Sequence, residues 1–410
     1  MASSGWIESN HLIDTLRRID LKTASVARSD TIRDINRQIV LNYIRERSPI
    51  SRAEISSKTA LQRSTISLIV EELKSQSLIE EIEGESTGGR PPILLRLRAA
   101  GPVVVGVDLG TKSTIVATSD LAGRELKREE FPTDGNSKRA LDRLIDHVQK
   151  FLAKQKGIEG VGVSIPGLVD PETGNALFIP HFKWRDWPVA DRLRAATRLP
   201  VKVDNDANAA ALAELWLARP EIRAVRDFIM VLVAQGLGTG IVFDGQIYHG
   251  SGGAAGEFGH MTIGKGAPVA CGAGSHECWE AFASESAALA RYATRRGSRA
   301  DHVPIDFGEL VDRGLAGDKD AESALTKTAR YLGLGISNLL KGLSPEVVIV
   351  GGRIARAWPV IEAEVKHTVE KNTICRDLPS ARISASTLGD NPTLMGALSL
   401  VLASKFAAPH

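Results

Sequence analysis

The sequence predicts an α/β protein: an N-terminal winged helix-turn-helix followed by a duplicated α/β body with a cleft between its halves. Three observations carry this. Residues 31–98 hold three helical stretches and then two short strands around a Gly-rich tip. Two later stretches, opening at Pro102 and at Asp227, share one grammar of apolar strand, Gly turn, strand and hairpin turn. The 410 residues are too many for one ordinary domain and enough for two or three.

Composition narrows the class. Hydrophobic residues make up 43% and charged residues 24%, which suits a globular chain. A net charge of +2 gives no overall pull toward nucleic acid, so any DNA binding must come from a local patch. The three cysteines are not a disulfide framework and fit a reducing compartment. No apolar run reaches the roughly 18 residues of a membrane span, and the N-terminus lacks the basic and apolar regions of a signal peptide. The expected location is cytoplasmic, with no membrane partner.

The elements follow in order. Residues 1–30 read as a polar extension in which "HLIDTLRRIDL" has amphipathic spacing. "IRDINRQIVLNYIRE" places Ile32, Ile35, Ile39, Val40, Tyr43 and Ile44 on one helical face. Ser48 and Pro49 break it. Ser51 with Glu54 three residues on is a capping box for a second helix. "LQRSTISLIVEELKSQ" is the third helix, apolar at Leu61, Ile66, Ile69, Val70 and Leu73. Gln62, Arg63, Ser64, Thr65 and Ser67 at its start are suited to base edges and phosphates. Arg90 at the "GGRP" tip is suited to a minor groove. Between Arg33 and Arg63, seven Arg and Lys side chains face three acidic ones, a local basic excess. The competing reading is a winged helix for protein contacts; capping box, helix start and tip falling together favour DNA.

The body is expected over 99–410. One lobe takes about 99–220 plus the C-terminal helix, the other 221–390. The turns Asp108–Lys112 and Gly236–Gly240 are each suited to backbone approach by phosphate, though short Gly turns are common. "VDNDANAAALAE" puts Asn205 and Asp206 between a strand and an Ala-rich helix, where a carboxylate could meet a substrate hydroxyl. "GEFGHMTIGKGAPVACGAGSHECWE" is the densest stretch. His260, Cys271, His276 and Cys278 are zinc-ligand types; the alternative is a metal-free loop with two buried thiols. Asn205, Asp206, Glu257, His260 and Glu280 together would serve a polyol, each accepting or donating at fixed geometry.

These pieces resemble the ROK family (repressor, open reading frame, kinase). "SRAEISSKTALQRSTISLIVEELKSQSLI", "GRPP", the Asp108 turn, "SIPGLVD", "DNDANAAALAE", "GEFGH", "CWE" and "IVGG" occur in the family's order over residues 32 to about 402. The resemblance implies an actin-like body of the sugar-kinase and ribonuclease H-like kind behind the DNA-binding head. It implies a sugar site of Gly167, Asn205, Asp206, Glu257, His260 and Glu280, with Asp206 at the place of the kinase base. It also implies a structural zinc held by His260, Cys271 and Cys278, with His276 as the candidate fourth ligand because Val269 stands at the first Cys place.

The chain departs from family kinases at the phosphate loops. Thr111 and Lys112 replace the second Gly and the Thr of the first loop, and Ala234, Gln235 and Thr239 interrupt the second. Side chains there argue against ATP, leaving Asp206 as a vestigial base that accepts a sugar hydroxyl. His181 stands where the family often has Asn near the sugar. The expected function is a DNA-binding regulator, a repressor in sign, answering to a monosaccharide effector. It would bind operator DNA as a homodimer or homotetramer. The alternatives are an ATP-dependent sugar kinase carrying a DNA-binding head, and a regulator sequestered by a transport protein.

Overall fold

The computed structural model describes residues 29–407, apart from 86–90, 100, 135–138, 224, 298–304 and 374–380. Arg90 and Cys375 therefore lie outside the described residues.

The head opens with helix α1 (Ser29–Arg47), strand β1 (Ile50–Ser51) and helix α2 (Arg52–Thr59). Ser51 closes the predicted capping box: its hydroxyl accepts from the Glu54 amide at 3.2 Å, and the Glu54 carboxylate accepts from the Ser51 amide at 2.9 Å. Helix α3 (Arg63–Ser75) buries Ile66, Ile69, Val70 and Leu73, as its 3.6-residue period requires. Strands β2 (Ile79–Glu83) and β3 (Ile93–Leu97) form the antiparallel wing hairpin. The two-residue β1 adds a third strand to it, too short to leave a pattern in the sequence.

Helix α1 departs from expectation. Val40, Leu41 and Ile44 are its buried residues, whereas Ile32 and Ile39 are 50% and 37% exposed. The helix carries two apolar stripes, and the one read from the sequence combined parts of both.

The body holds two five-stranded sheets of the same topology. In the first lobe β4 (Val103–Leu109), β5 (Ser113–Ser119) and β6 (Glu125–Pro132) form a meander. Helix α4 (Ala140–Leu152) leads to β7 (Ile158–Ile165), which pairs parallel with β4. A small sheet of β8 (Leu168–Val169), β9 (Ala176–Ile179) and β10 (Trp184–Trp187) follows, then helix α5 (Val189–Thr197) and β11 (Val201–Asn205), parallel to β7. Helix α6 (Asp206–Leu217) and the short α7 (Pro220–Arg223) lead into the second lobe.

There β12 (Phe228–Val233), β13 (Leu237–Phe243) and β14 (Gln246–Ile247) repeat the meander. Helices α8 (Trp279–Ala283), α9 (Glu285–Arg296), α10 (Phe307–Leu315) and α11 (Lys319–Leu343) follow. Strand β15 (Val347–Gly351) pairs parallel with β12, helix α12 (Trp358–Asn372) crosses over, and β16 (Arg382–Ala385) pairs parallel with β15. The orders β11-β7-β4-β5-β6 and β16-β15-β12-β13-β14 coincide strand for strand, which is the duplication in structural form.

Two helices join the parts. The C-terminal α13 (Pro392–Phe406) returns to the first lobe; a side chain at Gly162 would meet the Ala397 carbonyl at 1.8 Å, so only glycine lets it lie against β7. Helix α6 starts in the first lobe and packs Ala207, Ala210 and Ala211 on Phe228, Met230, Leu232 and Val242 of the second. Head and body share a core: Val40, Leu41, Ile44 and Ile66 belong to one buried cluster with Leu398, Val401, Leu402 and Phe406. Asn42 donates to the Phe406 carbonyl at 2.7 Å, and the Arg45 guanidinium lies 4.6 Å from the Trp216 ring and 4.8 Å from that of Phe406.

Candidate functional site: a carboxylate cleft, a thiol loop and an exposed helix start

The cleft is built at the N-terminus of α6. Asn205 caps it: its carbonyl accepts from the amides of Ala207 (2.9 Å) and Asn208 (3.2 Å), and its Nδ2 donates to the Gly167 carbonyl at 3.0 Å. Both ends of the amide are thus engaged, so Asn205 positions the site by tying Gly167 to the helix. Gly167 has φ 139°, and a side chain there would meet the Phe178 carbonyl at 2.4 Å.

Asp206 is the first residue of α6, with Oδ1 accepting from the Ala207 amide at 2.8 Å. Desolvation, and then the charge of Asp108, push its carboxyl up to about 7; Glu257 and Glu280 add to the rise. Asp108 itself is pushed up to about 6 by burial, partly countered by hydrogen bonds from Thr393 (2.7 Å) and Ser164 (3.2 Å). Burial likewise raises Glu257. Four acids therefore converge, and desolvation favours retained protons on Asp206, Asp108 and Glu257.

Glu257 and His260 sit on one 3-10 turn with side chains 47% and 39% exposed, open to a ligand, and 3.8 Å apart. Glu280 lies on α8. Its Oε2 accepts from the Leu237 amide at 3.0 Å and its Oε1 from the Gly272 amide at 2.6 Å. It links strand β13 to the thiol loop, and each oxygen keeps a second lone pair for a hydroxyl.

The donor atoms of His260, Cys271 and Cys278 lie within 4.8 Å of one another, and both cysteines are buried. Two sulfurs and an imidazole nitrogen at that spacing fit ligation at zinc's distances of about 2.0–2.3 Å. His276 does not join them: its Nδ1 lies 3.4 Å from the Ala267 carbonyl, and its place as fourth ligand is corrected.

The phosphate turns are also corrected. The second turn is Ala234–Gly236, and Leu237–Phe243 is strand. Gly238 and Gly240 serve packing: a side chain at Gly240 would meet the Ala207 carbonyl of α6 at 2.4 Å. The first turn is Gly110–Lys112. The Thr111 hydroxyl donates to Gln235 Oε1 at 2.5 Å, so two residues that replace kinase glycine and threonine bond to each other across the lobes. Sequence reading also missed His249, which bonds Asp204 at 2.8 Å and ties the second lobe to the end of β11. His181 is exposed, with its ring edge-on to Phe182.

On the head, Gln62, Arg63, Ser64 and Ser67 are exposed at the start of α3, and Thr65 is half-buried. Ser67 donates to the Arg63 carbonyl at 2.9 Å. Leu68, which sequence reading passed over, is 74% exposed on the same outward face. The basic excess is smaller than counted. Arg33 and Arg37 pair with Glu72, and Arg52 pairs with Glu71 and Glu81. Arg47, Lys58 and Arg63 are exposed, and their charged side chains have no partner among the described residues.

Comparison with known proteins agrees with this architecture. Residues 104–404 match the ROK family. The xylose repressor of Bacillus subtilis (strain 168) is 30% identical over 383 residues, covering 92% of this chain and 97% of that protein. A glucokinase of Halalkalibacterium halodurans is 32% identical over 308 residues, covering 71% of this chain and 92% of that protein. A solved ROK family transcriptional regulator, a homolog of the E. coli MLC protein, superposes with a TM-score of 0.74 at 26% identity, covering 92% of this chain and 98% of its own. The repressor and regulator matches, at 92% of the chain, include both head and body, whereas the glucokinase match covers 71% of it. This chain belongs to the ROK family.

Proposed function

We propose that the protein is a sugar-responsive transcriptional repressor, with the cleft as sensor and α3 as reader of operator DNA. The observation that carries the reading is α6. Asp206 stands at its first residue, and Trp216, near its other end about 15 Å away at 1.5 Å per residue, stacks under Arg45 of the head. One rigid element thus runs from sugar site to DNA-binding head. A sugar that binds one arrangement of the lobes more tightly shifts the position of α6 and the spacing of the heads.

A monosaccharide would meet Asp206, Glu257, His260 and Glu280, while Gly167 and Asn205 shape the wall. Xylose is the first sugar to test, because full-length relatives are xylose repressors. Arg63, Ser64 and Ser67 would meet operator bases and phosphates, with Gln62 and Thr65 at the edge of that face and Arg90 beyond the described residues. The outer apolar stripe of α1 supports assembly into a homodimer or homotetramer on a symmetric operator. Zinc held by His260, Cys271 and Cys278 would order the loop that carries Glu280's amide partner Gly272. The reduced pair Cys271 and Cys278 suits the cytoplasm. Among the described residues no helix is long and apolar enough to cross a membrane.

The Thr111–Gln235 bond supports a role without phosphoryl transfer, since it fills the place between the two turns. The kinase reading has one observation in its favour: a carboxyl near 7 is matched to general-base work at neutral pH. Thermal unfolding against plain sugars, with and without ATP, separates the two. Stabilisation by one sugar, none by ATP, and loss of operator binding on adding that sugar is the expected result. Turnover of ATP with any sugar overturns the non-enzymatic reading. A sugar that binds without changing DNA affinity overturns the sensor.

A further inference from the structure

A second cavity lies away from the cleft, on the far side of the thiol loop. It measures about 250 Å³ and is lined by faces of α9 and α11, Phe282 of α8, and Gly266 and Pro268 of the loop. Among the described residues its charged lining is entirely basic: Arg291, Arg295 and Lys327, with no Asp or Glu. Arg295 is held by Asp320 at 3.2 Å. The other two have no acidic partner among the described residues. Lys327 is exposed and has no partner among the described residues.

Arg291 is the decisive residue. It is only 7% exposed, yet its partners are neutral: Nη1 donates to the Thr328 hydroxyl at 2.6 Å, and the guanidinium lies 5.1 Å from the Tyr331 ring. Its Nη2 is buried with no hydrogen-bond partner among the described residues. A buried guanidinium is normally matched by a carboxylate or an anion, because desolvated charge is costly when left unpaired. Burial lowers its proton affinity to about 10, which still leaves it charged at neutral pH.

We propose that this cavity is a second ligand site, one that takes a small molecule carrying a phosphate group. A phosphate dianion balances Arg291 and Lys327, and the planar guanidinium offers it paired N–H donors. Ser323 and Thr294 bring hydroxyls to the same lining, and the stacked rings of Phe282 and Tyr331, 4.5 Å apart, offer an apolar wall for an organic portion. The volume suits a small metabolite rather than a nucleotide. The site also reaches the sensor. Ala267, between two lining residues, packs on the cluster of Cys271, Cys278 and Ala281, and Phe282 is two residues from Glu280. An occupant would therefore steady the loop and α8, and with them the cleft. The site itself stands whether or not the chain is a repressor.

Titration calorimetry on the full chain tests it, with inorganic phosphate, a pentose monophosphate and the plain pentose as probes. Wild type is expected to bind the two phosphates saturably, and both Lys327→Gln and Arg291→Gln to weaken them by about tenfold, the effect of losing one charge-assisted contact. Asp206→Asn should leave the binding of inorganic phosphate, which has no sugar to enter the cleft, unchanged. Tighter binding of the sugar phosphate assigns the ligand as a phosphorylated metabolite; equal binding assigns free phosphate. Because Arg291 is buried, the exposed Lys327→Gln keeps the test independent of folding. Absence of saturable phosphate binding overturns the proposal, as does binding that Asp206→Asn abolishes and Lys327→Gln leaves intact.

Discussion

At the scale of single residues, Asp206 has the most consequential environment. Its ordinary value of 3.8 rises to about 7, so the native state holds this proton where the unfolded chain has released it. The stability this group provides is complete at low pH and declines as pH climbs from about 4 to about 7. Asp206→Asn keeps an acceptor for the Ala207 amide and removes the charge. Its advantage over wild type should therefore grow across that window by up to about 4 kcal/mol, for a rise from 3.8 to about 7, and level off above it. Melting temperatures at pH 5 and pH 8 check this; an equal shift at both would place the carboxylate in ordinary solvent. The same variant should bind the sugar more weakly, because a charged acceptor makes the stronger hydrogen bond to a hydroxyl.

At the scale of elements, α6 and the thiol loop make separate demands. Trp216→Ala removes the ring beneath Arg45 while leaving the cleft at the other end of α6 untouched. It should keep sugar affinity within about twofold, a change below 0.5 kcal/mol, and blunt the response of DNA binding to sugar. Sugar affinity and operator affinity measured on one preparation separate the two effects; a full response in Trp216→Ala would show that coupling bypasses α6. In the loop, Cys278→Ser removes one of three converging donors. Metal content should fall from about one zinc per chain, and the melting temperature and sugar affinity should fall with it, because the metal binds only the folded arrangement. Equal metal content in the variant would remove the site.

These elements also show where sequence was informative. The capping box at Ser51 and the period of α3 are local patterns, and local chemistry decides both. The Asp206 turn and the two meanders were visible for the same reason. What the sequence could not show depends on distant partners. Asn205 carries a sugar-ligand residue type, but Gly167, far back in the chain, accepts its amide. Gly238 and Gly240 look like a phosphate turn until α6 is seen lying on them. Arg33, Arg37 and Arg52 count as free charge until α3 and β2 supply their glutamates. Leu41 was missed because α1 has two apolar stripes, and no period tells which one faces the body.

For the whole molecule, the shared core decides how it unfolds. Val40, Leu41 and Ile44 of the head are buried in one cluster with Leu398, Val401, Leu402 and Phe406 of α13, which in turn lies on the first-lobe sheet. The head's core is therefore continuous with one face of the first lobe, and the two should melt in one calorimetric transition. A sugar that stabilises the body should move the head's unfolding with it, although it touches no residue of the head. Phe406→Ala tests the seam: it opens a cavity in the shared core and should cost about 3–5 kcal/mol. In that variant the head should melt ahead of the body, and operator binding should fail at temperatures where sugar binding persists. Scanning calorimetry with and without sugar, read beside operator binding at each temperature, gives both outcomes. A separate early transition in wild type, unmoved by sugar, would mean that the head is tethered rather than packed, and that the sensor must reach the DNA through the spacing of subunits alone.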